Sequence, residues 1–154
     1  MRVVVVAVGK PREAALAAAI TDYETRAARY WPLDVHEVRE EPARSASVEQ
    51  VREREGERLL AKVPAGAEVI ACDAGGEAMG SEEFARWLQR KREAARSIAL
   101  LIGGAFGLSD GVRARAKSRL SLASWTLPHE LARLVLAEQL YRAGTIVRGE
   151  PYNK

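Results

Sequence analysis

Residues 3–8, Val-Val-Val-Val-Ala-Val, are an unbroken and mostly β-branched apolar run, the pattern of a strand covered on both faces. Gly9-Lys10-Pro11 follows at once, without the small-residue cleavage pattern of a secretory leader. Pro11 then opens a helical segment in which Leu16, Ile20, Tyr23, Ala27 and Tyr30 recur at helical spacing as one apolar stripe. Trp31-Pro32 ends it, because a residue before proline avoids helical dihedrals. Leu33 to Glu40 reads as a second strand, with Leu33, Val35 and Val38 inward. Glu41 to Ser47 is a polar loop, and Ser47 with Gln50 has capping-box spacing for a mostly charged surface helix to about Lys62.

Pro64-Ala-Gly66 breaks the chain before a third strand, Glu68 to Asp73, and the loop Ala74 to Gly80 leads to Ser81 as an N-cap. The helix beyond carries Glu82 and Glu83 in its first turn, then Phe84, Trp87, Leu88 and several arginines. Ser97 to Ile102 is a fourth buried strand, followed directly by Gly103-Gly104-Ala-Phe-Gly107. A short helix, Asp110 to Lys117, precedes a fifth strand, Leu120 to Trp125. Thr126-Leu-Pro128 opens a last helix, His129 to about Ala143, and the tail runs from Gly144 to Lys154. Strands alternating with helices predict an α/β fold: a mostly parallel sheet with helices on both faces, in one domain spanning 1–154.

Bulk properties narrow the function. The chain has 154 residues, 47% of them hydrophobic, which suits one core, and it lacks the ~18 consecutive apolar residues of a membrane span. One cysteine, Cys72, excludes an internal disulfide, and with only two histidines a His/Cys zinc site is set aside; no metal is expected. A net charge of +3 leans mildly toward anionic partners.

Candidate chemistry gathers at strand ends. Gly103, Gly104 and Gly107 follow a buried strand, where backbone can approach a cofactor closely; a tight structural turn fits equally. The spacing is neither a dinucleotide fingerprint nor a P-loop. Val8-Gly9-Lys10 reads as a turn, and Asp73-Ala-Gly-Gly marks a second polar edge, so a shared pocket is expected. On the last helix, Leu131, Val135, Glu138 and Arg142 share one face, while Leu136 and Leu140 lie opposite. A helix apolar on two sides is buried on two sides; one can pack on its own sheet, and a second copy of the chain is the simplest cover for the other. Glu138 and Arg142, spaced i,i+4, fit an ordinary ion pair or a functional one. His129 fits a hydrogen-bonded helix start or a proton-handling group. Trp125 and Trp87 read as core, and Arg86, Arg90, Arg92 and Arg96 as a solvated face that could track RNA phosphates.

Taken together, LLIGGAFGLS (Leu100 to Ser109), SLASWTLPHELARLVLAEQLYRA (Ser121 to Ala143) and PYNK (Pro151 to Lys154) resemble the ribosomal large-subunit methyltransferase H family, a minimal branch of the SPOUT methyltransferases. The VAVGK start and the third-strand ACD fit as well, so the resemblance spans the whole chain. It implies a C-terminal trefoil knot and a pocket for S-adenosylmethionine at Cys72, Gly103, Gly104, Ala123, Ser124, Trp125, Thr126, Leu127 and Pro128, with Cys72 where relatives usually carry Leu. It also implies a cytoplasmic homodimer that methylates N3 of a pseudouridine in 23S rRNA on the assembled ribosome, one subunit's tail completing its partner's site. Arg142, Tyr152 and Lys154 are the implied groups for RNA positioning and charge stabilisation, with Glu138 and His129 orienting or handling protons. Relatives usually end in a PYH-type tail. Asn153 stands there instead and cannot titrate near neutrality, which leaves open a ribosome- or RNA-binding protein with weak or lost catalysis. A small-molecule nucleotide-binding module is a third reading.

Overall fold

The structure is a computed structural model describing residues 1–44 and 46–154. The polar loop expected over 41–47 includes Ser45, which lies outside the described residues. Among the described residues the order is β1 (Val3–Val8), α1 (Ala14–Ala27), β2 (Leu33–Val38), α2 (Val48–Ala61), β3 (Glu68–Ala78), α3 (Ser81–Glu93), β4 (Ile98–Ile102), α4 (Asp110–Arg115), β5 (Ser118–Ser121) and α5 (His129–Val147). The strands form one parallel sheet in the order β2-β1-β4-β3-β5. Its central rung aligns Val5, Leu100 and Ile70.

Alternation along each strand divides the core. Val3, Val5, Ile70, Leu100 and Ile102 face Ala27 of α1, Leu88 of α3, and Leu136 and Leu140 of α5. Val4, Val6, Ala71 and Leu101 face Leu59 of α2 and Val112 of α4. Both faces are therefore dry, which is why the strand sequences are continuously apolar. The Trp31 indole N–H donates to the Leu140 carbonyl at 2.9 Å, tying the end of α1 to α5.

The path of the chain decides where a site can form. β5 ends at the outer edge beside β3, whereas α5 packs between α1 and α3 and touches β1 and β4. At the start of α5, a Glu130 carboxylate oxygen accepts the Arg12 backbone N–H at 2.9 Å, and the His129 imidazole stands 3.7 Å from Glu40. Residues 122–128 must therefore cross the carboxyl ends of β3 and β4. Arg133 secures the far side: its guanidinium, 9% exposed, pairs with Glu24 of α1 at 3.0 Å and Glu37 of β2 at 2.5 Å. Breaking such a buried pair leaves an uncompensated charge, so it fixes α5 in place more than its gross strength suggests.

Several boundaries differ from the sequence pattern. β3 continues through residues 74–78 as a bulged, mostly exposed strand along β5, so it carries no apolar alternation to read. The approach needs glycine, since a Cβ on Gly76 would lie 2.7 Å from the Arg119 carbonyl carbon. β5 is shorter and earlier than expected, and Trp125 is 82% exposed rather than core, because its segment has left the sheet. β2 and α4 end at Val38 and Arg115. α1 starts at Ala14, where the Glu13 carboxylate caps the Ala15 N–H at 3.0 Å, and not at Pro11. Gly80, not Ser81, holds the N-cap position of α3; the Ser81 hydroxyl donates to Gln139 of α5 at 2.8 Å. Pro128 caps α5 by backbone alone, and Thr126 lies outside it. The Ser47–Gln50 capping box is present as expected.

α5 also runs past Ala143 to Val147, because Gly144 is a packing residue and not a stop. A Cβ there would sit 2.3 Å from Tyr30 Cγ. Tyr30 is itself held by Glu150 at 2.5 Å and lies under the Arg148 guanidinium. Gly144→Ala should therefore lower stability by about 1–3 kcal/mol through overpacking, despite the gain in helix propensity. A urea midpoint equal to or above wild type would contradict this packing.

Candidate functional site

Where residues 122–128 pass the Gly103–Gly107 turn, the carboxyl end of the sheet opens a cleft of about 440 Å³, within the range of small-ligand sites. One wall is Cys72 to Ala74, where β3 runs past the end of β4. A second is Ile102 to Leu108, and a third is Leu122, Ala123, Trp125, Thr126 and Leu127. His129 and Ala132 of α5 and Arg52 of α2 complete the lining. The turn is tight: the Gly107 N–H donates to the Gly104 carbonyl at 3.0 Å, and a Cβ on Gly103 would lie 2.7 Å from the Gly107 carbonyl carbon. Gly107 has a φ of 82°, where glycine is favoured.

Of the residues singled out for a cofactor, the cleft brings together Cys72, Gly103, Gly104, Ala123, Trp125, Thr126 and Leu127, whereas Ser124 and Pro128 fall outside its lining. Burial pushes the Cys72 thiol up to about 12, so it is a neutral, apolar wall. His129, considered for proton handling, is also on the wall.

The charge pair inside the cleft is one that motif spacing did not reveal. Asp73 accepts from Arg113 at 2.9 Å, from Arg119 at 3.3 Å and from the Gly75 N–H at 3.1 Å. Burial works to raise its carboxyl, but Arg113 and the Gly75 amide outweigh that, and its pKa lies below the usual value. The available signal was its position, an acid at the carboxyl end of a parallel strand. Arg52 donates to the Phe106 carbonyl at 2.5 Å and so braces the turn from α2.

The tail residues make a separate cluster. Glu138 and Arg142 pair at 2.5 Å, both side chains half-buried. The Tyr152 hydroxyl donates to Glu138 at 3.0 Å, Arg142 donates to Asn153 Oδ1 at 3.0 Å, and the Arg142 guanidinium lies 4.7 Å from the Tyr152 ring centre. Burial, then contacts with Tyr23 and Glu138, pushes the Tyr152 phenol upward, and the Glu138 carboxylate raises Arg142. The cluster therefore offers a cation paired with a carboxylate, and a neutral hydroxyl. Lys154 is exposed. The cluster stands apart from its own cleft: Arg142 is ten positions beyond Ala132, about 15 Å along the helix, and Glu138 is rotated about 120° away.

On and just beyond α3 the basic side chains are less uniform than a solvated face. The Arg92 guanidinium lies 3.9 Å from the Trp31 ring centre and donates to the Tyr30 carbonyl at 2.6 Å, while Arg96 and Lys91 pair with Glu68. Trp87 stacks on Phe84 at the core margin, as expected.

The sequence profile of a family described as "Predicted SPOUT methyltransferase" matches residues 1–153. Proteins named "Ribosomal RNA large subunit methyltransferase H" are 66% identical in Gemmatimonas aurantiaca, over 100% of both chains, and 44% identical in Syntrophotalea carbinolica, over 99% of both. The crystal structure of TrmJ from Z. mobilis ZM4 has the same fold at 16% identity, with a TM-score of 0.53, covering 100% of this chain and 73% of that one.

The Asp73 pair has a signed pH signature. A carboxylate depressed in the folded state adds stability above its unfolded pKa and loses it as pH falls through the folded value. Asp73→Asn should cost about 1 kcal/mol at pH 7, given the part-exposed arginines. The gap to wild type should close below about pH 4. A gap that is constant from pH 7 to pH 3 would contradict the assigned pairing.

Proposed function

Because this chain belongs to the SPOUT methyltransferase family, we propose that it is a homodimeric, S-adenosylmethionine-dependent enzyme that methylates N3 of a pseudouridine in 23S rRNA on the assembled ribosome. The observation carrying this reading is the convergence of the Gly103–Gly107 turn, residues 72–74 of β3 and residues 122–127 on one cleft. Cys72, Ile102, Leu122 and Leu127 give it an apolar lining for an adenosyl group, and the exposed backbone of the turn gives hydrogen-bonding groups. The C-terminal threading is assigned to the family's trefoil knot.

When bound, S-adenosylmethionine supplies an electrophilic methyl group, so the protein's task is positioning and charge control. Gly103 and Gly104, with Ala123, Trp125, Thr126 and Leu127, would hold the cofactor. Arg142 supplies fixed positive charge beside an acceptor base that must give up its N3 proton. Tyr152, kept neutral, serves as a hydrogen-bonding group and not as a base. His129, on the cleft wall, is the group placed to handle a proton.

The tail cluster lies too far along α5 to serve its own cleft, which favours a dimer in which each tail serves the other subunit's cleft. The partly exposed Leu131 and the exposed Trp125 and Phe106 agree with a covering partner near the cleft. Reaction on ribosomes places the enzyme in the cytoplasm. Asn153 supports a second reading, RNA or ribosome binding without catalysis, since Arg142 here holds an amide in place of an imidazole.

Ribosomes lacking the modification should accept tritiated methyl from S-adenosylmethionine, and the label should map to N3 of pseudouridine in 23S rRNA. Cofactor binding without transfer would select the second reading, and no cofactor binding would defeat both methyl-transfer and cleft assignments. Arg142→Ala should lower kcat by about 100-fold or more, with cofactor Kd within about three-fold of wild type. An equal loss in cofactor affinity would remove Arg142 from the acceptor side.

A further inference from the structure

We infer that Glu55 is a positioning residue for the cleft, its buried carboxyl setting the height of the Gly103–Gly107 turn from behind; this rests on the reading of that turn as the cofactor wall. Glu55 lies on α2 and is 4% exposed. A Cβ on Gly104 would stand 3.0 Å from Glu55 Oε1, 3.2 Å from Oε2 and 3.0 Å from Val8 Cγ1. The carboxyl and the top of β1 thus form the floor on which the turn rests, and a side chain at 104 would have to push that floor back by a few tenths of an ångström. The next residue fixes α2 at this depth, because a Cβ on Gly56 would come 2.7 Å from the Ser109 hydroxyl that caps α4. Turn, helix and strand meet with no slack. Movement of the carboxyl is passed to Gly104.

The carboxyl is held unevenly. Oε2 accepts the Glu41 N–H at 3.1 Å, while buried Oε1 has no partner among the described residues. Ionisation would place charge at the turn with no cation of its own. Burial is the main influence raising the Glu55 carboxyl. The Glu41 amide opposes it, Glu40 adds to it, Arg58 opposes it and Glu41 adds to it. The cations nearby are already engaged: Arg54 and Arg58 pair with Glu41, and Arg12 pairs with Glu40, which His129 approaches to 3.7 Å. A carboxyl raised on folding adds most stability below its unfolded pKa and loses it as pH rises through the folded value. The turn should therefore be firmest with Glu55 protonated and loosen as it ionises.

The test compares wild type, Glu55→Gln and Glu55→Ala from pH 4 to pH 9 by two readouts. One is amide hydrogen exchange of residues 103–108 without cofactor; the other is calorimetric affinity for S-adenosylmethionine. Glu55→Ala should exchange those amides about ten-fold faster and bind about ten-fold more weakly. Glu55→Gln, equal in size and uncharged, should match wild type within about three-fold at the acidic end of the range and lack the weakening that wild type shows as Glu55 ionises. If Glu55→Ala does not fold, the pH profiles of wild type and Glu55→Gln decide alone. Superimposable profiles, or unchanged turn exchange in a folded Glu55→Ala, overturn the assignment. Wild type that binds no S-adenosylmethionine, yet shows Glu55-dependent turn exchange, overturns the cofactor reading and with it Glu55's role toward a cofactor.

Discussion

The chain leaves the sheet at its outer edge and must re-enter at its middle, and much else follows from that journey. β5 lies beside β3, but α5 has to pack between α1 and α3 because its Leu136, Leu140 and Ala143 side belongs to the core facing β1 and β4. Seven residues, 122–128, make the connection across the carboxyl ends of two strands. A segment this short cannot rise far from the surface it crosses, so it forms a wall against the Gly103–Gly107 turn. The cleft is thus a consequence of topology before it is a consequence of any single side chain.

Electrostatics hold the two ends of that path. At the near end Arg12, Glu40, His129 and Glu130 tie the start of α5 to the β1–α1 connection, and Arg133 locks the helix against Glu24 and Glu37. At the far end Arg142 gathers Glu138, Tyr152 and Asn153 into a cluster on a different side of the helix. One helix therefore presents two chemical surfaces about three turns apart. Association of two chains would bring the two surfaces to a common substrate, which is the argument for the proposed dimer.

The readable parts of the sequence were those in which side-chain pattern and backbone demand coincide. The strands at 3–8 and 98–102 are apolar on both faces, and the Ser47–Gln50 capping box announces α2. The glycines at 103, 104 and 107 marked the turn, and the motif resemblance pointed to its companion segment. Trp125 departs from the core reading because a large aromatic ring is ordinarily buried, whereas here it rides on a crossing segment outside the core. The exposed half of β3 has no alternation, and Gly144 has the composition of a helix end while serving close packing with Tyr30. The Asp73–Arg113 pair and the Glu55–Gly104 contact join residues 40 and 49 positions apart in sequence. No local pattern carries such pairs.

The central claim is that the turn and the crossing segment form one binding site. Backbone amide chemical shifts followed during titration with S-adenosylmethionine test it most directly. The account predicts saturable changes in residues 72–74, 103–108 and 122–129 that fit a single dissociation constant. Changes confined to the neighbouring cleft at residues 9–12 and 37–40, or different constants for the turn and the crossing segment, would contradict it.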